Sequence, residues 1–342
     1  MIKIDGSQGE GGGQILRTAI TLSCITNQPV RIINIRRGRS KPGLSAQHLT
    51  GINAAAKICG AKVSGNRLGS MELEFTPGAH IHGKFQFNVG TAGSVTLVLQ
   101  TLVPIAAFGR DVSTFEIIGG TDVKFAPTID YFQHVFGRNM KIIGLNISVD
   151  EVKRGFYPKG NGKVRIVVYP WKDRTTFDAI SQKNLEHIDV HSICSEGLRS
   201  TQVAERQLAG FKEELSKQYR DKILEQKVIY GPSLSNGTSI HAHAHFKNCK
   251  LGVVEIGERR VKAEDVGAIC AKMLEEEIES GATVDHRMAD QIILFLALGK
   301  GGKFRTSRIS NHLRTNAWTI QQFLPKVSIN INETTNVVEV KI

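Results

Sequence analysis

A glycine-rich segment near the amino terminus could bind an anionic group. Residues 6–14 have the sequence GSQGEGGGQ, with five glycines, between a predicted strand and a predicted helix. Glycine lets backbone N–H groups approach an anion at the positive end of a helix, and phosphate fits such a site. Glu10 would repel phosphate unless a divalent cation lay between them, so Glu10 is a candidate metal ligand. A surface loop with a solvated acid is the alternative.

A basic turn follows at residues 36–41, RRGRSK, with four cations. Guanidinium groups bind phosphate in a bidentate manner, so this turn suits a terminal phosphate monoester. Arg17, one helical turn beyond Gly13, could point at the same anion. A solvated basic turn is the alternative interpretation of this segment.

His312 lies in the segment SNHLRTN at residues 310–316, after a predicted strand and at a predicted helix start. Hydrogen-bonding side chains and an arginine surround it in the sequence. A neutral imidazole there could act as a nucleophile toward phosphorus. From the residues alone, a structural histidine is an equal alternative.

Two further motifs have explanations other than a functional site. The segment HAHAH at residues 241–245 would place three histidines on one face of a strand, but their Cβ atoms would be ~7 Å apart, wide for chelating one zinc ion. We therefore predict an exposed or half-buried histidine stripe. Lys3 matches the KxDG pattern of lysine-adenylating ligases, yet only three residues are fixed and two precede the lysine. Coincidence explains that match better.

The elements that position these residues alternate between strands and helices. The pattern predicts a strand at residues 2–5, a helix at 14–24, a strand at 30–35 and a helix at 44–59. Related patterns recur around predicted helices at residues 92–106 and 127–136. We predict a mixed α/β fold with internal repeats of roughly 70–90 residues, built from small sheets and paired helices.

The order and spacing of the predicted strands and helices change after a polar, unpatterned stretch near residues 171–183. The earlier pattern returns after a predicted helix at 263–280. We therefore predict a large repeat-built catalytic domain formed by residues 1–182 and 277–342. Residues 183–276 are predicted to form a smaller inserted α/β domain.

Composition limits the partners. The 342 residues include 44 basic and 32 acidic side chains, a net charge of +12, which favours binding of polyanions such as nucleic acid.

Five scattered cysteines without a CxxC pair argue against a disulfide framework or a cysteine zinc site. No apolar run approaches the ~18 residues of a spanning helix, and no signal or transit peptide is recognised. We expect a cytoplasmic protein, or a nuclear one if the source is eukaryotic.

Together these motifs resemble the RNA 3′-terminal phosphate cyclase family, in order and across essentially the whole chain. The matching segments are DGSQGEGGGQILR at 5–17, RRGRSKPGL at 36–44, QHL at 47–49, GSVTLVLQT at 93–101, GGTD at 119–122, RGFYP at 154–158, ADQ at 289–291 and HLRTN at 312–316. The resemblance implies three repeated units, each of two helices on a four-stranded sheet, interrupted by a smaller α/β insert.

The resemblance also implies an activity. The family converts an RNA 3′-terminal phosphate to a 2′,3′-cyclic phosphate with ATP, releasing AMP and pyrophosphate, and is a ligase that forms a phosphoric ester bond. His312 matches the nucleophile that would take AMP from ATP before the AMP passes to the RNA 3′-phosphate and the 2′-hydroxyl closes the ring. ATP would be the co-substrate, and Mg²⁺ or Mn²⁺ the metal.

Further roles are implied residue by residue. Glu10 matches the metal-contacting acid. The positions implied for the RNA phosphate end are Arg17, Arg36, Arg39, Gln47 and His48. The positions implied for ATP are Gln100, Arg287, Met288, Ala289, Asp290 and Gln291. At Arg287-Met288 this chain departs from the aromatic or histidine followed by leucine that the family has more often, so the resemblance leaves open how the nucleotide base is held.

Three alternatives follow from the same residues. The nearest is a non-cyclising cyclase-like protein of RNA processing, which the presence of His312 disfavours. A relative of the enolpyruvyl transferases is disfavoured by the positive charge and by the histidine motif. A passive protein that binds RNA ends would not consume ATP. A homodimer is compatible with all of these alternatives.

Overall fold

The computed structural model describes residues 1–342, apart from the side chain of Glu151. Three segments of the chain share one order of elements: strand, helix, strand, helix, strand, strand. We call them the first, second and third units. The predicted mixed α/β fold with repeated units is confirmed.

The bounds of the elements show the repetition. The first unit contains β1 (Ile2–Asp5), α1 (Gly13–Thr26), β2 (Val30–Ile33), α2 (Ala46–Ile58), β3 (Lys62–Ser64) and β4 (Leu73–Thr76). The second unit contains β5 (Gly83–Asn88), α3 (Val95–Ala107), β6 (Ser113–Gly119), α4 (Ile129–Tyr131), a π-helical turn (Phe132–Phe136), α5 (Gly137–Ile142), β7 (Ile147–Lys153) and β8 (Gly162–Val168). The π-helical turn joins α4 and α5 into one continuous helix.

The third unit is interrupted after its first strand, β9 (Phe177–Ala179). The interrupting segment, called the insert below, contains β10 (Leu185–Ser195), a 3₁₀ turn (Glu196–Thr201), α6 (Val203–Glu214), α7 (Lys217–Arg220), β11 (Ile223–Gly231), β12 (Thr238–Phe246), β13 (Lys250–Ile256) and α8 (Ala263–Glu279). The third unit then continues with α9 (His286–Leu298), β14 (Gly302–Arg305), α10 (Asn311–Phe323), β15 (Ser328–Asn332) and β16 (Val337–Lys341).

Each unit forms a four-stranded sheet in which the order of its strands is first, second, fourth, third: β1-β2-β4-β3, β5-β6-β8-β7 and β9-β14-β16-β15. The first two strands of each unit are parallel. Because all of these strands except β9, which leads into the insert, run directly into a helix, the amino-terminal ends of those helices lie at the carboxyl edges of the strands. That edge is where the candidate site forms.

Two separate clusters of buried apolar side chains support the chain. One extends through all three units, and the other lies in the insert between its sheet, ordered β11-β10-β12-β13, and the helices α6 and α8. The division into domains at residues 182/183 and 276/277 stays a prediction. Within the described residues, no helix is both long enough and apolar enough to cross a membrane.

The histidines of β12 face the second unit. Ala242 and Ala244 point into the cluster of the insert, so the alternating residues His241, His243 and His245 lie on the opposite face of the sheet. His241 and His243 are buried, and the ring of His243 lies 5.1 Å from that of His134 in the π-helical turn. The predicted exposed or half-buried stripe is therefore wrong for His241 and His243, because the second unit covers them.

Candidate active site

The glycine-rich loop between β1 and α1 is held against α10 of the third unit. The backbone N–H of Glu10 donates to Thr315 Oγ1 at 3.0 Å. Gly9 has a φ of +58°, and a Cβ built there would lie 2.3 Å from the same oxygen. A side chain at residue 9 would therefore strain the backbone and separate the loop from α10.

His312 lies in the first turn of α10, whose amino terminus is capped by Ser310. Its Nδ1 is 2.8 Å from Gln14 Oε1 at the start of α1, and its side chain is 52% exposed. Partial burial, assisted by the charges of Arg17 and Arg39, lowers the pKa of His312. The imidazole is therefore neutral at physiological pH and accessible to a ligand, as a nucleophile must be.

Glu10 lies between His312 and the basic turn. Its Oε1 forms an ion pair with Arg39, whose guanidinium also donates to the carbonyl of Glu10 at 3.4 Å. Its Oε2 is 3.7 Å from His312 Nδ1, is buried and has no hydrogen-bond partner among the described residues. An unpartnered buried carboxylate oxygen is energetically costly, and a cation would remove that cost.

Arg17 and Asp290 form the floor of the site. Gln14 Nε2 donates to Asp290 Oδ2 at 2.8 Å, which connects α1 to α9. Burial raises the pKa of Asp290 to about 7, although Arg17 acts in the opposite direction. Burial likewise lowers the pKa of Arg17 to about 10, with Asp290 opposing. Arg17 is therefore a permanent cation, whereas Asp290 titrates near neutral pH.

Two clefts meet at Arg17. The first is also lined by Gln47 and His48. The second is also lined by Gln100, Asp290 and Gln291. The structure thus separates Gln47 and His48, expected at the RNA phosphate, from three of the residues expected at ATP, and Arg17 lines both clefts.

His48 is held as a neutral donor toward the first cleft. Its Nδ1 accepts the Ser45 backbone N–H at 3.2 Å, so the ring proton is on Nε2. Burial, together with Arg17 and Arg36, lowers the pKa of His48 to about 3. A Cβ at Gly13 would lie 2.1 Å from Nε2, which explains the glycine there.

The remaining expected phosphate contacts have structural partners already. Gln47 Oε1 accepts the Ser94 backbone N–H at 2.9 Å, which connects the first unit to the second. Arg36 has a φ of +53° and donates to the Gly43 carbonyl at 2.7 Å, so it shapes the basic turn. Of the two arginines, Arg39 is the one beside Glu10.

In the second cleft, Gln100 Nε2 donates to Gln291 Oε1 at 3.0 Å. The other three residues expected at ATP lie apart from this contact. Arg287 donates to the carbonyl of Val254 in β13 at 3.2 Å, while Met288 and Ala289 are completely buried in the main core. Their place in a nucleotide site stays a prediction.

Three side chains near the site had no role in the sequence-based prediction. Gln14 connects His312 to Asp290, Asn316 donates to the Asp290 carbonyl, and Thr18 Oγ1 donates to Asn316 Oδ1 at 2.6 Å. Gln14 and Asn316 lie within the recognised motifs, so their motif membership was the available signal. Their partners are far away in the sequence, so spacing alone could not identify them.

Comparisons with known proteins identify the family. A family model described as RNA 3′-terminal phosphate cyclase matches residues 8–331. The chain therefore belongs to the RNA 3′-terminal phosphate cyclase family, and the resemblance found in the sequence is confirmed.

Relatives named RNA 3′-terminal phosphate cyclase match almost end to end. The protein of Pyrococcus abyssi is 43% identical over 327 residues, covering 96% of this chain and 94% of its own. That of Archaeoglobus fulgidus is 42% identical over 329 residues, covering 96% and 97%. That of Nitrosospira multiformis is 38% identical over 342 residues, covering 100% and 96%.

Proposed function

We propose that this protein uses ATP to convert an RNA 3′-terminal phosphate into a 2′,3′-cyclic phosphate, with His312 as the covalent carrier of AMP. The observation that carries the mechanism is the chain of hydrogen bonds from Asp290 through Gln14 to His312. It supports a nucleophilic imidazole beside Gln14, a residue that lines the second cleft. Family membership supports the substrate class.

The hydrogen bonds select one tautomer of His312. Because the NH₂ group of Gln14 donates to Asp290, its carbonyl oxygen faces the imidazole and can only accept. Nδ1 of His312 must then carry the proton, which leaves the lone pair on Nε2. Nε2 is therefore the atom that attacks phosphorus.

In the first step, His312 Nε2 bonds to the α-phosphorus of ATP, and the bond to pyrophosphate breaks. In the second step, an oxygen of the RNA 3′-phosphate bonds to that phosphorus, and the histidine leaves with the electron pair of the P–N bond. In the third step, the 2′-oxygen bonds to the terminal phosphorus of the RNA, its proton passes to solvent, and AMP leaves. AMP is a much better leaving group than the oxygen of an unactivated monoester.

Arg17, His48 and Arg39 are the groups that we propose hold the RNA phosphate. Arg17 and His48 offer N–H donors in the first cleft. Arg39 lies beside Glu10, near His312, where charge builds up during AMP transfer. Phosphate, not base edges, is recognised in this arrangement, so we expect little sequence preference and a strong effect of salt.

Glu10 is the residue that would hold Mg²⁺ or Mn²⁺. The fit is supported by its buried, unpartnered Oε2, a hard oxygen ligand of the kind that both ions take. When bound, the metal would neutralise charge on the departing pyrophosphate. Glu10 itself keeps Arg39 in place whether or not a metal is present.

We predict that Glu10→Gln removes the stimulation of self-adenylation by Mg²⁺ or Mn²⁺, because an amide is a much weaker ligand than a carboxylate. The measurement is the rate of labelling by α-labelled ATP as the metal is titrated. Glu333→Gln is the matched control, since Glu333 also pairs with an arginine near α10, at an exposed site. An unchanged metal response in Glu10→Gln would show that Glu10 is not the metal ligand and would leave it as the partner of Arg39.

The titration of Asp290 gives a second prediction. Self-adenylation in the wild type should fall as the pH drops below about 7, where Asp290 takes up a proton and ceases to orient Gln14. Burial lowers the pKa of His312 and raises that of Asp290 to about 7, so Asp290 takes up its proton first as the pH falls. Asp290→Asn should flatten the profile between about pH 6 and pH 8.

The variant Gln14→Leu distinguishes a role of Gln14 in orienting His312 from a role in binding ATP. It should slow self-adenylation about tenfold above pH 7, the effect of losing roughly one hydrogen bond that fixes the tautomer, and by less below pH 7, where protonated Asp290 has already released Gln14. The KM for ATP should change little. A raised KM with an unchanged maximal rate would instead place Gln14 in ATP binding.

The overall proposal is tested with RNA oligonucleotides and ATP. An oligonucleotide with a 3′-phosphate should become resistant to phosphatase, whereas one with a 3′-hydroxyl should not react. A terminal 2′-deoxynucleotide with a 3′-phosphate should accumulate the adenylated end, because it lacks the hydroxyl that closes the ring. RNA binding without ATP turnover would favour the non-cyclising, RNA-end-binding alternative.

A further inference from the structure

A second group of convergent side chains lies on the insert, outside the candidate active site. His187 and Asp189 belong to β10, and His245 belongs to the neighbouring strand β12. All three are half-buried, with side-chain exposures of 28%, 16% and 14%. They are therefore ordered by the sheet and still reachable from solvent.

The sheet register brings the three side chains together. His187 is directly opposite His245 in the antiparallel pair, and the register shifts between Leu185 and His187, as at a β-bulge. Asp189 is two residues further along β10, so it shares the face of His187. The neighbouring strand supplies the ligands that the spacing within residues 241–245 could not.

The distances suit a tetrahedral ion. His245 Nε2 is 2.9 Å from Asp189 Oδ2, His187 Nε2 is 3.8 Å from the same oxygen, and one ligand atom from each residue lies within 4.8 Å of the others. Ligands ~2.0–2.2 Å from one zinc ion at tetrahedral angles are about 3.3–3.6 Å apart. Small rotations of the side chains would reach that spacing.

The contacts around His245 Nε2 conflict without a metal ion. The atom faces both the Asp189 carboxylate and the Lys250 ammonium, with Lys250 Nζ at 3.3 Å. If Nε2 carries a proton, it suits Asp189 but meets another donor in Lys250; if not, its lone pair faces the carboxylate. A divalent cation between Nε2 and Oδ2 would satisfy both of those atoms once the flexible Lys250 side chain turned away.

A second cluster of possible metal ligands, deeper in the molecule, is less suited to bind a metal ion. Asp122, Asp130 and His241 also converge, but all three are buried and Arg154 binds both carboxylates. The guanidinium already supplies the positive charge there. At the half-buried cluster on the insert the competing cation is the single flexible side chain of Lys250, which can turn away, so this cluster is the better metal site.

We propose that His187, Asp189 and His245 bind Zn²⁺ as a site that joins β10 to β12, with water as the fourth ligand. Two imidazoles and one carboxylate suit zinc better than magnesium, which prefers oxygen ligands. The five cysteines are all buried elsewhere as free thiols, so the site has no sulfur ligand. This proposal is independent of the proposed catalytic function.

The test uses the full-length protein after treatment with EDTA. Co²⁺ is added as a spectroscopic substitute, tetrahedral binding is followed in the visible spectrum, and Zn²⁺ is added to displace it. His187→Ala and His245→Ala should each weaken binding by at least about tenfold. His82→Ala, a histidine outside the insert, and Glu10→Gln, at the candidate active site, should leave the signal unchanged.

Lys250→Met gives a test in the opposite direction. Removing the competing cation should increase the affinity for Zn²⁺ without removing a ligand, and circular dichroism would verify folding of each variant. Retention of the cobalt spectrum in a folded His187→Ala/His245→Ala double variant would overturn the proposal, as would the absence of tetrahedral binding by both the wild type and Lys250→Met.

Discussion

His312→Ala should abolish the transfer of label from α-labelled ATP to the protein, reducing the rate by about 10³-fold or more, because the proposed nucleophile has no substitute. Gln14 and Glu10 are the side chains beside it, and neither carries a basic nitrogen. The measurement is denaturing gel electrophoresis after incubation with labelled ATP and Mg²⁺ or Mn²⁺. The stability of the fold should be kept, since half of the imidazole is exposed.

Two controls make this result decisive. Lys3→Ala should label normally; loss of label in Lys3→Ala alone would revive a lysine adenylate. His82→Ala tests whether any lost histidine has the same effect. Label that persists in folded His312→Ala would refute the assignment of the nucleophile, and no label in the wild type would favour an inactive RNA-binding relative.

Arg154→Leu should give the largest loss of stability, about 3–5 kcal/mol in the free energy of unfolding, because it leaves two buried carboxylates without a counter-charge. Arg154 Nη2 donates to Asp130 Oδ1 at 3.0 Å, and its Nη1 lies 3.4 Å from Asp122 Oδ2. Asp122 also accepts from Ser239 of β12 at 2.8 Å, so the substitution should loosen the insert as well. Urea unfolding is the measurement.

The pH dependence of that loss has a definite sign. Burial is the largest single influence and raises the pKa of Asp130, but Arg154, His241 and His134 together lower it by more, so the net shift is downward. In the wild type this stabilisation is present above the unfolded-state pKa of ~3.9 and is lost as the pH falls further. In Arg154→Leu the buried acids should take up protons, so the variant should gain stability as the pH falls from neutral toward about 5.

Arg199→Leu is the matched control for Arg154→Leu. Arg199 pairs with Glu196, but both side chains are more than half exposed, at 56% and 54%. Water already solvates both charges, so little change in stability is expected. An equally small effect of Arg154→Leu would show that the buried ion pair contributes little.

Local sequence patterns predicted the helices and strands well, because the backbone conformation of each element depends mainly on residues that are close in the sequence. The helix predicted at residues 14–24 is observed as Gly13–Thr26, and that predicted at 44–59 as Ala46–Ile58. The prediction failed at Phe136, where we expected a helix to end. Gly137 there takes helical angles, with φ of −58°, and the helix continues to Ile142 through the π-helical turn.

Contacts between distant segments could not be predicted in the same way. Gln14 and His312 are 298 positions apart, and Gln14 and Asp290 are 276 apart. Residue types and motif order identified His312 and Asp290 as candidates, but only the packing of α1, α9 and α10 revealed the hydrogen bonds between them. The pairing of His187 with His245 likewise depends on the register of two strands and not on local periodicity.

The candidate site draws on all three units: Glu10 and Arg39 come from the first, Gln100 from the second and His312 from the third. During synthesis, the proposed nucleophile therefore leaves the ribosome after the glycine loop, the basic turn and the whole insert. A nascent chain that ends before α10 holds the expected phosphate-binding residues but lacks the group that would react with ATP. Under the proposed mechanism, consumption of ATP would begin only once the three units have assembled, and partly made chains would leave RNA ends unmodified.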